Sequence, residues 1–435
     1  MIKNFIDYNL YLFRIKRIEV IIVFIDLLLF ITSTYTLINN WSDIFKENSG
    51  GRAIIFVLLG TIIKFIYDLY NITCEVIDSM DLRYGYIKSD IQELIYNEVK
   101  VDNSLSSDYI IEEVFMPSGK KERVVRSLKL DKYIREGNFI LEESKNMERN
   151  IKKFIKENKE VLLPFLNYNY RLSNFYGKMF FNEKKLCISS DILINPNEKK
   201  VYCHKGTYYD TYLTNIISGK ELRSNEDNKL ISSAEDFMPV VKKQDGYYLK
   251  DITASIMNNE IGISTLAITS DNYLIIWTQN RIAQSSAGLL VPTGSGSCDW
   301  DDIRGNSFTD TIIYAMNREL WEENGGKLLS KSPEEIGETK ILGTFRWINK
   351  GGKSEFVGLS KVNKDLISFA QDKKEVFDRE EYLINSVDDL IKVADDLLKR
   401  NNISVPLYVN LKAIKEYANE NKEEIEKFLR TKHYD

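Results

Sequence analysis

The sequence predicts an α+β chain: an N-terminal two-helix transmembrane hairpin, followed by a mixed sheet packed between helices. Three observations carry this. Two apolar runs, about 20–38 and 53–70, stand near the start of the 435-residue chain. β-rich runs around polar turns recur between 261 and 361, and amphipathic or charged segments flank them. A chain this long exceeds one ordinary domain and can bury a large core. The net charge of −5 gives no overall basic field, so direct DNA binding is not expected.

The first apolar run, Val20 to Ile38, is broken only by Asp26 and a few hydroxyls. The second, Ala53 to Tyr70, is broken by Lys64 and Asp68. Each is long enough to cross a hydrocarbon core of roughly 30 Å, so residues 19–73 read as a hairpin of two spans. Two buried core helices are the alternative. Lys3, Arg14, Lys16 and Arg17 precede the first run, while the connecting loop carries only Lys46 and Arg52. That excess places the N-terminal segment 1–18, and with it the C-terminus, in the cytoplasm of a multi-pass cell-membrane protein. Asp26 and Lys64 fall at similar depth. An isolated charge there costs about 2.5 to 3.5 kcal/mol, so the two are expected to face each other. Their pairing serves either a polar seam for assembly or a fixed register. Cys74, Cys187, Cys203 and Cys298 are widely separated and form no CxxC, which reads as free thiols in a reducing compartment.

Residues 74–160 read as a connector. Asp78 to Val99 suits a helix, and Tyr109 to Leu130 has strand-like pieces around Pro117-Ser118-Gly119. Glu142 to Pro164 suits a long charged helix ending at the proline. Aromatics interleave with Lys and hydroxyls from Tyr202 to Tyr212. Such a stretch stacks a base and holds a phosphate, or forms a half-buried edge strand. Lys205, Tyr208 and, further on, Arg281 are the ligand-contact candidates. His204 has no partner at metal-ligand spacing. Ile261 to Thr278 is a hairpin around Ser270-Asp271-Asn272, and Lys340 to Trp347 and Glu355 to Lys361 are two more strands. Val376 to Arg400 suits an amphipathic helix covering the sheet, and Ala413 to Lys432 a charged terminal helix.

The most informative segment is Arg318-Glu319-Leu320-Trp321-Glu322-Glu323-Asn324-Gly325. Glu319, Glu322 and Glu323 share one helix face. Crowded carboxylates repel and raise each other's pKa, a conflict that a divalent cation resolves. Oxygen ligands suit Mg²⁺ or Mn²⁺, with a phosphate completing the shell. Arg318 can pair with one carboxylate, and Gly325 stops the helix. A solvated acidic helix turn is the plain alternative.

This segment resembles the second half of the Nudix box, G-x5-E-x7-R-E-U-x-E-E-x-G-U, where U is an apolar aliphatic residue. Asp310 stands where the upstream Glu belongs, Arg304 at the leading Gly with Gly305 one step late, and Gly326 at the closing apolar position. The preceding hairpin and the short strand ending in Pro292-Thr293-Gly294 resemble the Nudix element order. The resemblance covers roughly 160 to 430, is most specific over 261 to 361, and gives a Nudix-like domain at 161–435 with its box at 304–326. It implies that Glu322 and Glu323 bind Mg²⁺, that Glu319 acts as base or further ligand, and that Arg318 orients Glu319. The implied substrate is a nucleoside diphosphate derivative cut at its pyrophosphate. Arg304 alters the loop that approaches the phosphates, so binding without hydrolysis stays open. A two-helix anchor before such a domain resembles the two-transmembrane Nudix effectors of CBASS, the cyclic-oligonucleotide-based antiphage signalling system. That resemblance implies a homo-oligomer that senses or processes a cyclic nucleotide second messenger. The messenger comes from a cGAS/DncV-like nucleotidyltransferase, and the hairpins disrupt the lipid bilayer to cause abortive infection. The alternatives are a membrane-anchored pyrophosphohydrolase and a scaffold that docks a partner.

Overall fold

The computed structural model describes residues 2–39, 49–78, 85–102, 108–195, 197–280, 286–370 and 376–430. Three helices open the chain: α1 (Ile2–Ile15), α2 (Arg17–Asn39) and α3 (Ser49–Asp78). Among the described residues, no helix is long and apolar enough to cross a membrane. The transmembrane hairpin and the multi-pass membrane location are therefore overturned. The charges at their centre supply the physical reason. Lys64 forms an ion pair with Asp26 and lies 3.7 Å from Asp68, so the two helices meet on a charged seam. The expected facing of Asp26 and Lys64 is thus present, in a different setting.

α1 is anchored elsewhere. Tyr8 stacks on Tyr170 with centroids 3.9 Å apart and donates to Asn167 at 2.6 Å. Tyr11 donates to Asp210 at 2.8 Å, and Arg14 reaches the same carboxylate at 3.2 Å. The receiving body follows the connector, which holds β1 (Tyr86–Lys88), α4 (Asp90–Glu98), β2 (Ile110–Phe115), β3 (Lys121–Arg126) and α5 (Leu128–Arg135). Next come β4 (Ile140–Glu143), α6 (Lys145–Glu157), α7 (Lys159–Phe175), β5 (Lys184–Ile188) and β6 (Lys200–Thr207). The single charged helix expected over 142–164 is a strand and two helices, and Pro164 sits inside α7. Pro164 is the sixth residue of α7, so its missing N–H removes one i→i−4 bond from the helix. β6 is central rather than an edge, lying between β4 and β5.

Four short strands follow, β7 (Glu221–Arg223), β8 (Leu230–Ser233), β9 (Val240–Lys243) and β10 (Gly246–Leu249). The main sheet then begins with β11 (Gly262–Ile268), β12 (Tyr273–Gln279), β13 (Leu290–Val291) and β14 (Gly294–Ser297). After helix α8 (Phe308–Glu323) it is completed by β15 (Gly337–Trp347), β16 (Lys353–Val362) and β17 (Val376–Leu383). Its order is β13-β12-β11-β16-β15-β3-β2, with β14 on β11 and β17 on β12. β11 and β16 run parallel, while β15 and β16 form an antiparallel hairpin. Helices α9 (Val387–Leu398), α10 (Val405–Glu420) and α11 (Lys422–Arg430) close the chain. Val376 to Leu383 is therefore strand, not helix: it pairs with β12, and Ser386 caps the helix by accepting from the Asp389 amide.

Both faces of this sheet are covered, so β11 and β16 are buried along their whole length. Period-2 alternation sorts their side chains. Leu266, Ile268, Val357 and Leu359 pack toward α9 and α10, whereas Ile263 and Phe356 pack toward α8 with Phe308, Ile312 and Met316. Arg126 ties β3 to the rest, reaching Asp131 at 2.9 Å and Glu416 at 2.7 Å with no side-chain exposure of its own. Asp131 accepts from the Thr344 amide at 2.8 Å, where the β15 register shifts between Ile341 and Gly343. Burial pushes the Asp131 carboxyl up to about 6, against the pull of Arg126.

Candidate functional site

α8 positions the acidic segment. The Ser307 side chain accepts from the Asp310 amide at its start, and Gly325 adopts a φ of 102° just beyond its end. Its inward stripe, Ile312, Ala315, Met316 and Leu320, fixes the helix rotation on the sheet and turns Arg318 and Glu319 toward the β14 strand. A Cβ on Gly296 of β14 would collide with the Glu319 carboxylate, so only glycine lets strand and carboxylate approach this closely.

Arg318 is the hub. Its Nε and Nη2 donate to Asp302 at 2.7 and 2.9 Å, a two-pronged pair. Its Nη1 donates to Glu319 at 3.0 Å and to Glu322 at 3.1 Å, and Nη2 also donates to the Ser297 carbonyl at 3.0 Å. Asp302 is held for this by accepting from the Asp299 amide at 2.7 Å. Lys185 on β5 donates to Asp299 at 2.5 Å. Asp299, Asp302, Glu319 and Glu322 thus share Arg318 and Lys185, and Lys185 also pairs with Glu183 at 3.2 Å. Burial, helped by Glu322 and Asp299, pushes Glu319 up to about 7 against the pull of Arg318. Burial also raises Glu322 and Asp299. Arg318 itself is held far above its usual range: burial alone would lower it, and Glu319, Asp302 and Asp299 outweigh that.

Among the sequence candidates, the structure brings Arg318, Glu319 and Glu322 together. Glu323 lies on the interior side, 3 % exposed, and accepts from the Ser295 amide at 3.2 Å. Asp310 is exposed in the first turn of α8. Arg304 lies over the Tyr314 ring at 3.1 Å and pairs with Glu334 at 3.4 Å. Lys205 stands over the Trp300 ring at 5.3 Å, and Tyr208 lines a cavity described below. Arg281 lies outside the described residues. His204 is buried between Ser189 and Asn258, at 2.8 and 3.2 Å, and burial lowers it to about 4. Sequence reasoning missed Asp299, Asp302 and Lys185. The run Asp299-Trp300-Asp301-Asp302 was a readable acidic signal, whereas Lys185 carried none.

Among the described residues, no group of three or more His, Cys, Asp or Glu side chains is arranged to hold a metal ion. The donors on hand are two. Glu319 and Glu322 both lie about one hydrogen bond from the Arg318 Nη1, so a positive charge already occupies the place between them. Magnesium binds through one or two carboxylates with substrate phosphates and water completing its shell. A magnesium ion held by this pair would have to displace the Arg318 Nη1 from between Glu319 and Glu322.

One large cavity, about 1040 Å³, adjoins this site through Ser295, Gly296 and Ser297. Its wall also includes Tyr208, Lys220, Trp347 and Lys350.

No family model matches the chain, and no curated protein is similar to it. Solved structures overlap part of it, two of them as follows. The MutT protein from Methanosarcina mazei Go1 is 12% identical, with 38% of this chain and 95% of that one covered, at a TM-score of 0.26. DR0079 from Deinococcus radiodurans is 13% identical, covering 40% and 98%, at 0.25. Overlap at this level carries no statement about chemistry.

Proposed function

We propose that this chain binds a nucleoside diphosphate derivative beside α8 and hydrolyses its pyrophosphate with Mg²⁺, as a Nudix-like domain. The carrying observation is the Arg318 hub: Asp299, Asp302, Glu319 and Glu322 around Arg318 and Lys185, with Glu319 near neutrality in its proton affinity. Glu322 would hold the ion together with the substrate phosphates and water, and the ion would supply charge neutralisation on the phosphate oxygens. Glu319 accepts the proton of the attacking water, a task suited to a group titrating near neutral pH. The water oxygen bonds to phosphorus, the bond to the bridging oxygen breaks, and the released phosphate carries off the electron pair. Arg318 keeps Glu319 turned toward Gly296, and Asp302 keeps Arg318 in place.

A second reading, a site that binds a cyclic nucleotide signal without cutting it, is favoured by one observation. Arg318 Nη1 already donates to Glu322, which would take the ion, and to Glu319. The hairpin no longer supports a membrane-damaging effector. Both readings are tested by incubating the full chain with nucleoside diphosphate sugars, dinucleoside diphosphates and cyclic dinucleotides, with and without Mg²⁺. Chromatography of the products separates them. Pyrophosphate cleavage that needs Mg²⁺ and vanishes in Glu319→Gln supports hydrolysis. Tight binding with every ligand recovered intact selects the second reading, and neither binding nor cleavage sinks both.

A further inference from the structure

The cavity has a basic wall far in sequence from the Arg318 hub. Lys120 borders β3, Lys220 precedes β7, and Lys350 lies in the β15–β16 turn, three unrelated segments that deliver ammonium groups to one space. The neighbouring charges are accounted for. Lys120 pairs with Glu93 of α4. Lys353 is buried with its own acids, Glu260 at 3.2 Å and Glu355 at 3.5 Å. Glu122 on β3 accepts from the Trp347 indole at 2.8 Å. Lys350 stands over that indole ring at 3.7 Å. The Lys220 ammonium makes no hydrogen bond or ion pair among the described residues, although half of it is buried. Burial lowers Lys220 to about 8, opposed by Glu122 and Glu93 and assisted by Lys350 and Lys120. Burial lowers Lys350 to about 8 as well, opposed by Glu355, Glu122 and Glu260 and assisted by Lys353.

Cations crowded around one concave space repel each other unless anions offset them. We propose that Lys120, Lys220 and Lys350 form an anion site for a phosphate group of a small molecule at least as large as a nucleotide. The size follows from the cavity, which at about 1040 Å³ is far larger than one phosphate needs. The site is separate from the α8 carboxylates, needs no divalent ion, and does not rest on hydrolysis there.

The test is calorimetric titration of the full chain with inorganic pyrophosphate and with ADP, both in EDTA. Binding is expected in the wild type and in Glu319→Gln. It should weaken at least tenfold in Lys220→Met and in Lys350→Met. It should also weaken about tenfold from pH 7 to pH 9.5, because lysines titrating near 8 lose their charge across that range. An exposed lysine patch would keep its charge to about pH 10. Thermal melts guard against misfolding: without ligand, Lys220→Met should melt at or above the wild-type temperature, since it removes a crowded cation. Pyrophosphate binding that is flat with pH and unchanged in both variants overturns the proposal. So does binding that appears only with Mg²⁺ and disappears in Glu319→Gln. ADP binding without pyrophosphate binding also overturns it, because the ring rather than the phosphate would then be recognised.

Discussion

The cavity is bordered by opposite imbalances. Beside α8, Arg318 and Lys185 serve Asp299, Asp302, Glu319 and Glu322, and Glu319 is pushed up to about 7. Across the space, Lys220 and Lys350 are pushed down to about 8. Burial is the largest cause in each case, so both walls move toward neutrality by opposite routes. The acidic wall is tightly cross-linked by one arginine, whereas the basic wall converges without a hub. The first is built to keep its geometry when its charge changes.

The largest expected effect breaks the acidic wall. Arg318→Met leaves Asp302, 2 % exposed at its side chain, without its partner. Loss of a buried partner of this kind costs about 3 to 5 kcal/mol, so urea unfolding should show a greatly reduced midpoint, and hydrolysis should fall with it. Glu319→Gln keeps the shape and removes the base. Turnover is expected to drop about 10² to 10⁴-fold, measured as Mg²⁺-dependent product release, while the fold survives. The proton linkage of Glu319 sharpens the comparison. Its folded pKa lies above that of an unfolded glutamate, so its contribution to stability is full below about pH 4 and is lost as pH rises through about 7. Wild-type stability should therefore fall from pH 5 to pH 8 by at most about 3 kcal/mol. Urea melts of Glu319→Gln over the same range should be flatter; equal slopes would remove Glu319 as the cause. The smallest effect lies on the basic wall. Lys220→Met should change stability by less than about 1 kcal/mol, upward if at all.

The sequence made some of this legible and hid the rest for physical reasons. The hairpin β11–β12, the pair β15–β16 and the capped α8 announce themselves by local pattern, because their turns and stops are encoded in neighbouring residues. So do Glu319 and Glu322 around Arg318, whereas Glu323 turns inward to the Ser295 amide. Val376 to Leu383 misled because its strand status depends on β12, about a hundred residues earlier. The two apolar runs misled because hydropathy counts residues but not the ion pair that places Asp26 between helices. Lys185, Lys220 and Lys350 were unreadable because each gains its meaning from partners that only folding brings near.

The docking of α1 sets an order of events during synthesis. Tyr11 emerges early, yet its hydrogen-bond partner Asp210 lies 199 residues later. At roughly 5 to 20 residues per second, that wait is about 10 to 40 s. Until Asp210 is made, Tyr11 lacks its acceptor, although Asn167 and Tyr170 are already available to Tyr8. α1 can therefore dock in two stages, Tyr8 meeting α7 before Tyr11 meets Asp210.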